Sequence, residues 1–303
     1  MTSPTVTPSP RGSTPDPTQP RVPRRRRRMG GTFWVASGLL GTVLLTIAAV
    51  PLLPFFDPDG QDLAGRFAAP FTSAGNPLGS DQLGRDLLSR LAVAGRVSLG
   101  IAVPAVALNL LIGVTLGLLA GYFGGKLDSA ISALAEIQLA VPIMLLVIAI
   151  VSAIGPSTLT LIVVIGLTNW VGYARVARAT AWSLRDREFI WAPLTHGASR
   201  AWVISRHLVP NVVPVLAVMV PFDIGVIVLL EAALSFLGMG IQAPTPSWGG
   251  MIKDSQQYLR DYSFLAILPG LMLFMFVAGV QFMARALTSE GALDHNFSGK
   301  GQA

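Results

Sequence analysis

Cysteine is absent from the 303-residue chain, histidine occurs three times, and charge is scarce, with 22 Lys and Arg against 16 Asp and Glu. Without cysteine there is no disulfide scaffold, thiolate metal site or cysteine nucleophile. The histidines (His196, His207 and His295) lack metal-ligand spacing. No His-Glu-x-x-His run and no Gly-x-Ser-x-Gly elbow occurs, so a membrane-embedded enzyme has no constellation to work with. Nor is there a Gly-x4-Gly-Lys-Ser/Thr loop, so the chain does not itself bind ATP through a P-loop. Charged residues make up 13% of the chain, whereas soluble proteins carry roughly a quarter. A soluble fold of this length cannot cover its surface on that supply. Present instead are 52% hydrophobic residues and a mean hydropathy of +0.60. The chain reads as an all-α, polytopic membrane protein.

A bilayer core takes about 20 apolar helical residues per crossing. Windows of that kind predict six spans: Phe33–Leu53, Val97–Ala120, Leu139–Ala153, Leu159–Tyr173, Val212–Phe236 and Phe264–Phe282. Gly155-Pro156 divides the third from the fourth as a tight hairpin, because proline removes a backbone donor and disfavours helix just before it. Lipid cannot satisfy open backbone groups, and the alternating pattern of a barrel is missing, so the spans are helices.

Arginine sets the expected orientation. Arg11, Arg21 and Arg24 to Arg28 precede the first span, and Arg175, Arg178, Arg185, Arg187, Arg200 and Arg206 lie between the fourth and fifth. With Lys126, Arg285 and Lys300, 16 of 22 basic groups fall on one side, which places both termini in the cytoplasm. The net charge of +6 therefore reflects topology, and no aromatic-interleaved basic surface points to nucleic acid. Residues 1–30 form a basic tail of Pro, Ser, Thr and Arg, expected to be disordered. Arg24 to Arg28 either touch anionic lipid headgroups or act as a stop signal that keeps the N-terminus inside. The apolar run that follows exceeds the length of a cleavable signal peptide.

Two outer segments exceed simple turns. In Pro54–Arg96, Asp81 or Asp86 can cap a following helix. Leu83, Leu87, Leu88 and Leu91 recur at helical spacing, which suits a short amphipathic helix on the outer surface or contact with an external partner. In Gly238–Tyr262, Pro244 and Pro246 prevent regular pairing and Trp248 suits the membrane interface. That segment either packs on neighbouring helices or gates a path. The inner segment 174–211 is too charged to span, yet Phe189, Ile190, Trp191 and Leu194 sit at helical spacing among the charges. It suits a helix seated in a partner's groove or one lying along the headgroups.

Asp223 and Glu231 lie inside the fifth span. A carboxylate at the bilayer centre costs roughly 2.5–3.5 kcal/mol or more, so such groups face protein or water. Eight residues place the two within about 80° on one helix face. Glu231, near the outer end, is expected to bond to loop backbone in a structural role; for Asp223, a pathway and a structural role both remain open.

The residues Leu78-Gly-Ser-Asp-Gln-Leu-Gly-Arg-Asp-Leu-Leu-Ser-Arg-Leu91, Gly95-Arg-Val-Ser-Leu99 and Gly121-Tyr-Phe-Gly-Gly125 come first in a series. It continues with Tyr173-Ala-Arg175, His207-Leu-Val-Pro-Asn211, Glu231-Ala-Ala-Leu-Ser-Phe-Leu-Gly238 and Gln242-Ala-Pro-Thr-Pro-Ser-Trp-Gly249. Over about residues 77–290 the chain resembles the inner-membrane permease subunits of ABC importers, in the dipeptide/oligopeptide/nickel group and nearest its C-subunit type. The resemblance implies the type I importer permease fold, with residues 31–96 as first helix and external segment, 97–290 as core and 291–303 as a cytoplasmic tail. It makes 174–211 a coupling loop that meets an ATPase through Trp191, Ala192, Pro193, Gly197, His207 and Pro210. The family's loop carries Glu-Ala-Ala, then Gly, then Pro; here Gly197 and Pro210 match, Trp191 replaces the acid and Pro193 the second alanine. Because proline belongs in a first turn, the docking helix is expected to restart near Pro193.

The resemblance further implies a homologous second permease chain, one or two ATP-binding subunits and an extracytoplasmic solute-binding protein, in the bacterial plasma membrane. ATP and Mg would sit on the ATPase and no cofactor on this chain. Asp81, Arg85, Asp86, Pro244, Pro246 and Trp248 become candidates for an external gate or binding-protein contact. Peptides are the expected cargo, with nickel chelates, glutathione and haem as cargoes of relatives. A proton-coupled carrier using Asp223 and Glu231 is the reading from another class; it gives no reason for a docking helix, and no inverted repeat supports it.

Overall fold

The structure, a computed structural model, describes residues 31–72 and 75–298, with side chains as far as Ala286. The basic tail of residues 1–30 and the last five residues lie outside the described residues. Among those described there are twelve α-helices and no strand, only an isolated bridge between Ser80 and Asp86. Five helical stretches are long and apolar enough to cross a membrane: Gly31–Leu52, Leu87–Phe123, Thr158–Leu184, Met219–Phe236 and Phe264–Ala286. A sixth crossing exists only if a pair of helices bent by 84° counts as one.

Helix α1 is Gly31–Ala49. Helix α2, Leu87–Phe123, starts well before the expected Val97. The Asp86 side chain accepts from the Ser89 N–H at 2.7 Å and fixes that start. Leu87 and Leu91 are buried, so three of the four leucines expected on a separate surface helix (Leu87, Leu88 and Leu91) form the first turns of a span, and Leu83 precedes it. Gly124, at φ +65°, ends it. Helices α3 (Gly125–Ala140) and α4 (Ile143–Ile154) replace the single span expected at Leu139–Ala153. Pro142 has no N–H and forces Val141 into extended backbone (φ −105°, ψ 126°). The expected hairpin follows, with Gly155 at φ +100° and Ser157 capping α5, Thr158–Thr168.

Helix α6, Val171–Leu184, carries the fourth crossing past its expected end at Tyr173. The first part of segment 174–211 is therefore a packed helix and not a loop. Gly113, Gly117 and Gly121 form a stripe on α2 against it. A β-carbon on Gly113 would lie 2.5 Å from Tyr173 Cβ, and on Gly121 2.5 Å from the Arg178 carbonyl; on Gly117 it would collide with the Ala174 carbonyl. Lipid tails are as apolar as leucine, so helices associate in membranes through close contact, which small residues permit. Arg178 Nη2 donates to Asp128 Oδ2 at 2.7 Å and ties α6 to α3.

Helix α7 (Glu188–Thr195), α8 (Arg200–Val203) and a π-helical turn (Ile204–Leu208) lead into α9 (Val209–Ala217) and α10 (Met219–Phe236). The fifth crossing is thus broken at Val218. Helix α11 is Trp248–Ser255, and α12, Phe264–Ser298, runs beyond the expected core boundary at 290 and packs on α1 and α10.

Candidate functional site

Helix α7 starts at Glu188, so Pro193 lies within its second turn and does not restart it. The helix is short enough that losing one N–H there is tolerable, since only the Phe189 carbonyl loses its donor. Its end is built by Gly197 at φ +87°. The Gly197 N–H donates to the Leu194 carbonyl at 3.1 Å and the Ala198 N–H to the Pro193 carbonyl at 3.0 Å, the paired bonds of a glycine-terminated helix. His196 Nδ1 lies 2.8 Å from the Ala192 carbonyl. Ser199 then caps α8 through the Trp202 N–H at 3.2 Å.

Anchoring and display are separated along this connection. Ile190, Val203 and Leu208 are buried, whereas Phe189, Trp191, Ala192 and Trp202 are exposed. The His207 ring packs against Trp202 at 5.3 Å and Phe189 at 6.2 Å. Pro210 falls in the first turn of α9, directly after the π-helical turn. The arrangement is a rigid knuckle that shows apolar rings to whatever lies beyond it. No cluster of three or more metal-binding side chains occurs among the described residues.

Glu231 is fully buried and accepts from Ser98 Oγ of α2 and Ser235 Oγ of α10, each at 2.7 Å. Its partners are hydroxyls and not the loop backbone expected from the sequence, because α2 passes beside α10 at that level. Ser235 Oγ in turn accepts the Ile241 N–H at 3.2 Å, linking the carboxylate to the following segment. Asp223 is half-buried beside the Tyr173 hydroxyl. Sequence reasoning missed Ser98 and Tyr173, since neither stands out until the helices are packed.

At the opposite end from α7, Asp81 gathers its neighbours. It accepts from the N–H groups of Leu83 (2.8 Å) and Arg85 (3.0 Å), from Arg85 Nε at 2.7 Å, and pairs with Arg90 Nε at 3.4 Å. Arg90 Nη1 reaches the Pro58 carbonyl at 3.4 Å. Asp81, Arg85, Asp86 and Arg90 are all buried, so this group braces the segment internally and offers a partner little surface. Trp248 is also fully buried and not at the lipid interface; its Nε1 donates to the Leu91 carbonyl at 3.2 Å and its ring meets Phe276 at 6.0 Å. Pro246 is buried and Pro244 exposed. A cavity of about 150 Å³ opens between Arg85, Arg90, Pro244, Lys253 and Asp254. Partial burial lifts the Asp254 carboxyl above the usual carboxylate range, while Arg90, Lys253 and Arg85 draw it back.

A bundle of long apolar helices with an inserted knuckle of exposed aromatic rings at one end and a braced segment at the other fits a membrane permease. Residues 113–289 match the family described as binding-protein-dependent transport system inner membrane component, and the chain belongs to it. The chain is 38% identical to the nickel transport system permease protein NikC of Escherichia coli (strain K12), over 83% of its own length and 88% of that protein. It is 36% identical to the dipeptide transport system permease protein DppC of Alkalihalophilus pseudofirmus, over 81% and 80% respectively. To the oligopeptide transport system permease protein OppC of Escherichia coli (strain K12) it is 36% identical, over 81% and 82%. The chain is an inner-membrane permease component of an importer, a transport subunit and not a catalytic one.

Proposed function

We propose that this chain is one of two homologous permease subunits in an ATP-driven importer that moves dipeptides or oligopeptides across the bacterial inner membrane. A separate ATPase holds ATP and Mg, and an extracytoplasmic solute-binding protein delivers the cargo. Both termini and the α7 knuckle face the cytoplasm, in keeping with the arginine count on that side. Nickel is the second cargo reading, favoured by the 38% identity to the nickel permease.

The exposed face of α7 carries this reading. Phe189 and Trp191 present apolar rings on a short helix whose far end is locked by Gly197, and Trp202 adds a third from α8. In the ATPase cleft those rings would leave water. Because α7 joins α6 to α9 through a short, capped connection, its displacement is passed to the spans as a rigid-body tilt. ATP binding drives the change only through its different affinity for the outward and inward states. A proton-coupled carrier has no use for such a knuckle. Trp191 stands where relatives place an acid, so the contact here is apolar and aromatic.

A Trp191→Cys chain assembled with its partners tests the reading. Thiol cross-linking to a cysteine in the ATPase cleft is expected, and ATP is expected to change its yield. Failure to capture the ATPase from an assembly active in uptake overturns it.

A further inference from the structure

The two carboxylates of α10 occupy different settings. Glu231 is sealed and satisfied by two serine hydroxyls. Asp223 is half-buried and forms no ion pair among the described residues. Its neighbour is the Tyr173 hydroxyl, which is buried and has no hydrogen-bond partner among the described residues. Asp223 also lies near the start of α10, just past the break from α9 at Val218. Pro221 has no N–H to offer the Ala217 carbonyl four residues back, and the helix breaks at Val218 between them. Ala217 lines an apolar cavity of about 670 Å³ between α2 and α9, with Leu111, Val114, Val213 and Val220.

A carboxylate and a phenol hydroxyl thus neighbour each other inside the spans, and the carboxylate has no ion-pair partner among the described residues. Ionisable groups at that depth pair, or face a water-filled path. In secondary transporters, charged cargo binds where helices are discontinuous. Resting on the importer reading above, we propose that Asp223 recognises a positively charged group on the cargo as it crosses, with Tyr173 as the residue that positions the carboxylate. The ligand chemistry is a cation: an ammonium or guanidinium of a peptide, or a divalent metal. Selectivity for charge would then be exercised inside the permease as well as before it.

The test uses the complete importer, with its ATPase, second permease and binding protein, in liposomes. ATP-driven uptake of a lysine-containing dipeptide and of dialanine is measured at saturation, and Ni2+ uptake alongside. In Asp223→Asn the ratio of lysyl to neutral dipeptide rates is expected to fall about fivefold, the order of one charge pair in a partly hydrated setting. Asp223→Glu is expected to keep the ratio, Tyr173→Phe to fall between, and Ni2+ uptake to follow the same order. The ratio is taken within one preparation, so lost expression or folding does not move it. An unchanged ratio in Asp223→Asn, or equal loss for both peptides, overturns the inference and leaves the importer reading intact. A wild-type assembly that moves none of these cargoes removes the importer reading and the inference together.

Discussion

Gly197 has open space where a β-carbon would point, yet its φ of +87° is one that L side chains rarely adopt. Backbone conformation alone is therefore what opposes a side chain there. Gly197→Val is expected to cost roughly 1–2 kcal/mol at the end of α7 and to lower ATP-driven uptake while the chain stays in the membrane. Gly197→Asn, which tolerates that region, should keep most of it; uptake normalised to membrane abundance checks both. At Glu231, Ser98→Ala removes one of two hydroxyls from a sealed carboxylate. A loss of about 1–3 kcal/mol is expected, read as a lower unfolding temperature in detergent, with Glu231→Gln milder than Glu231→Ala. Asp86 was legible beforehand as a helix cap because capping is local. Trp248 was not: the same indole suits a lipid interface or a buried niche, and only the nearby Leu91 carbonyl decides for the niche.

Elements were legible where apolar windows dominate and illegible where caps and packing decide. The hairpin at Gly155-Pro156 follows from backbone chemistry and is present. The starts and ends of α2 and α6 do not follow from hydropathy, since charged Arg90 and Arg178 lie inside helices and are paired there by Asp81 and Asp128. The stripe of Gly113, Gly117 and Gly121 at four-residue spacing was a signal available in the sequence for the α2–α6 contact. Gly117→Leu is expected to separate these helices and cost about 1–3 kcal/mol or more, measured as loss of folded chain after detergent extraction, whereas Gly100→Leu, in open space, should be neutral. Within α7, Pro193→Ala restores a backbone donor to the Phe189 carbonyl. It should leave stability equal or higher, and any fall in uptake would then belong to the docking surface.

Across the whole molecule the absence of cysteine becomes an experimental asset, since single thiols need no background to be removed. Trp191→Cys and Thr245→Cys, both at exposed positions, are expected to react with an impermeant maleimide from opposite sides of the membrane. Labelling of Trp191→Cys from outside intact cells, or of both from the same side, would overturn the arginine-based orientation. The amino-acid sequence by itself determined that the chain lives in a membrane and that it is helical. Those properties depend on composition and on local backbone chemistry, which every window of the chain carries. Tertiary structure alone decided that Glu231 is bonded to Ser98 and sealed while Asp223 is left beside Tyr173, and that the Asp81 group is an internal brace. Each of those outcomes depends on residues far apart in the chain meeting at one depth in the bundle, and no local pattern encodes that meeting.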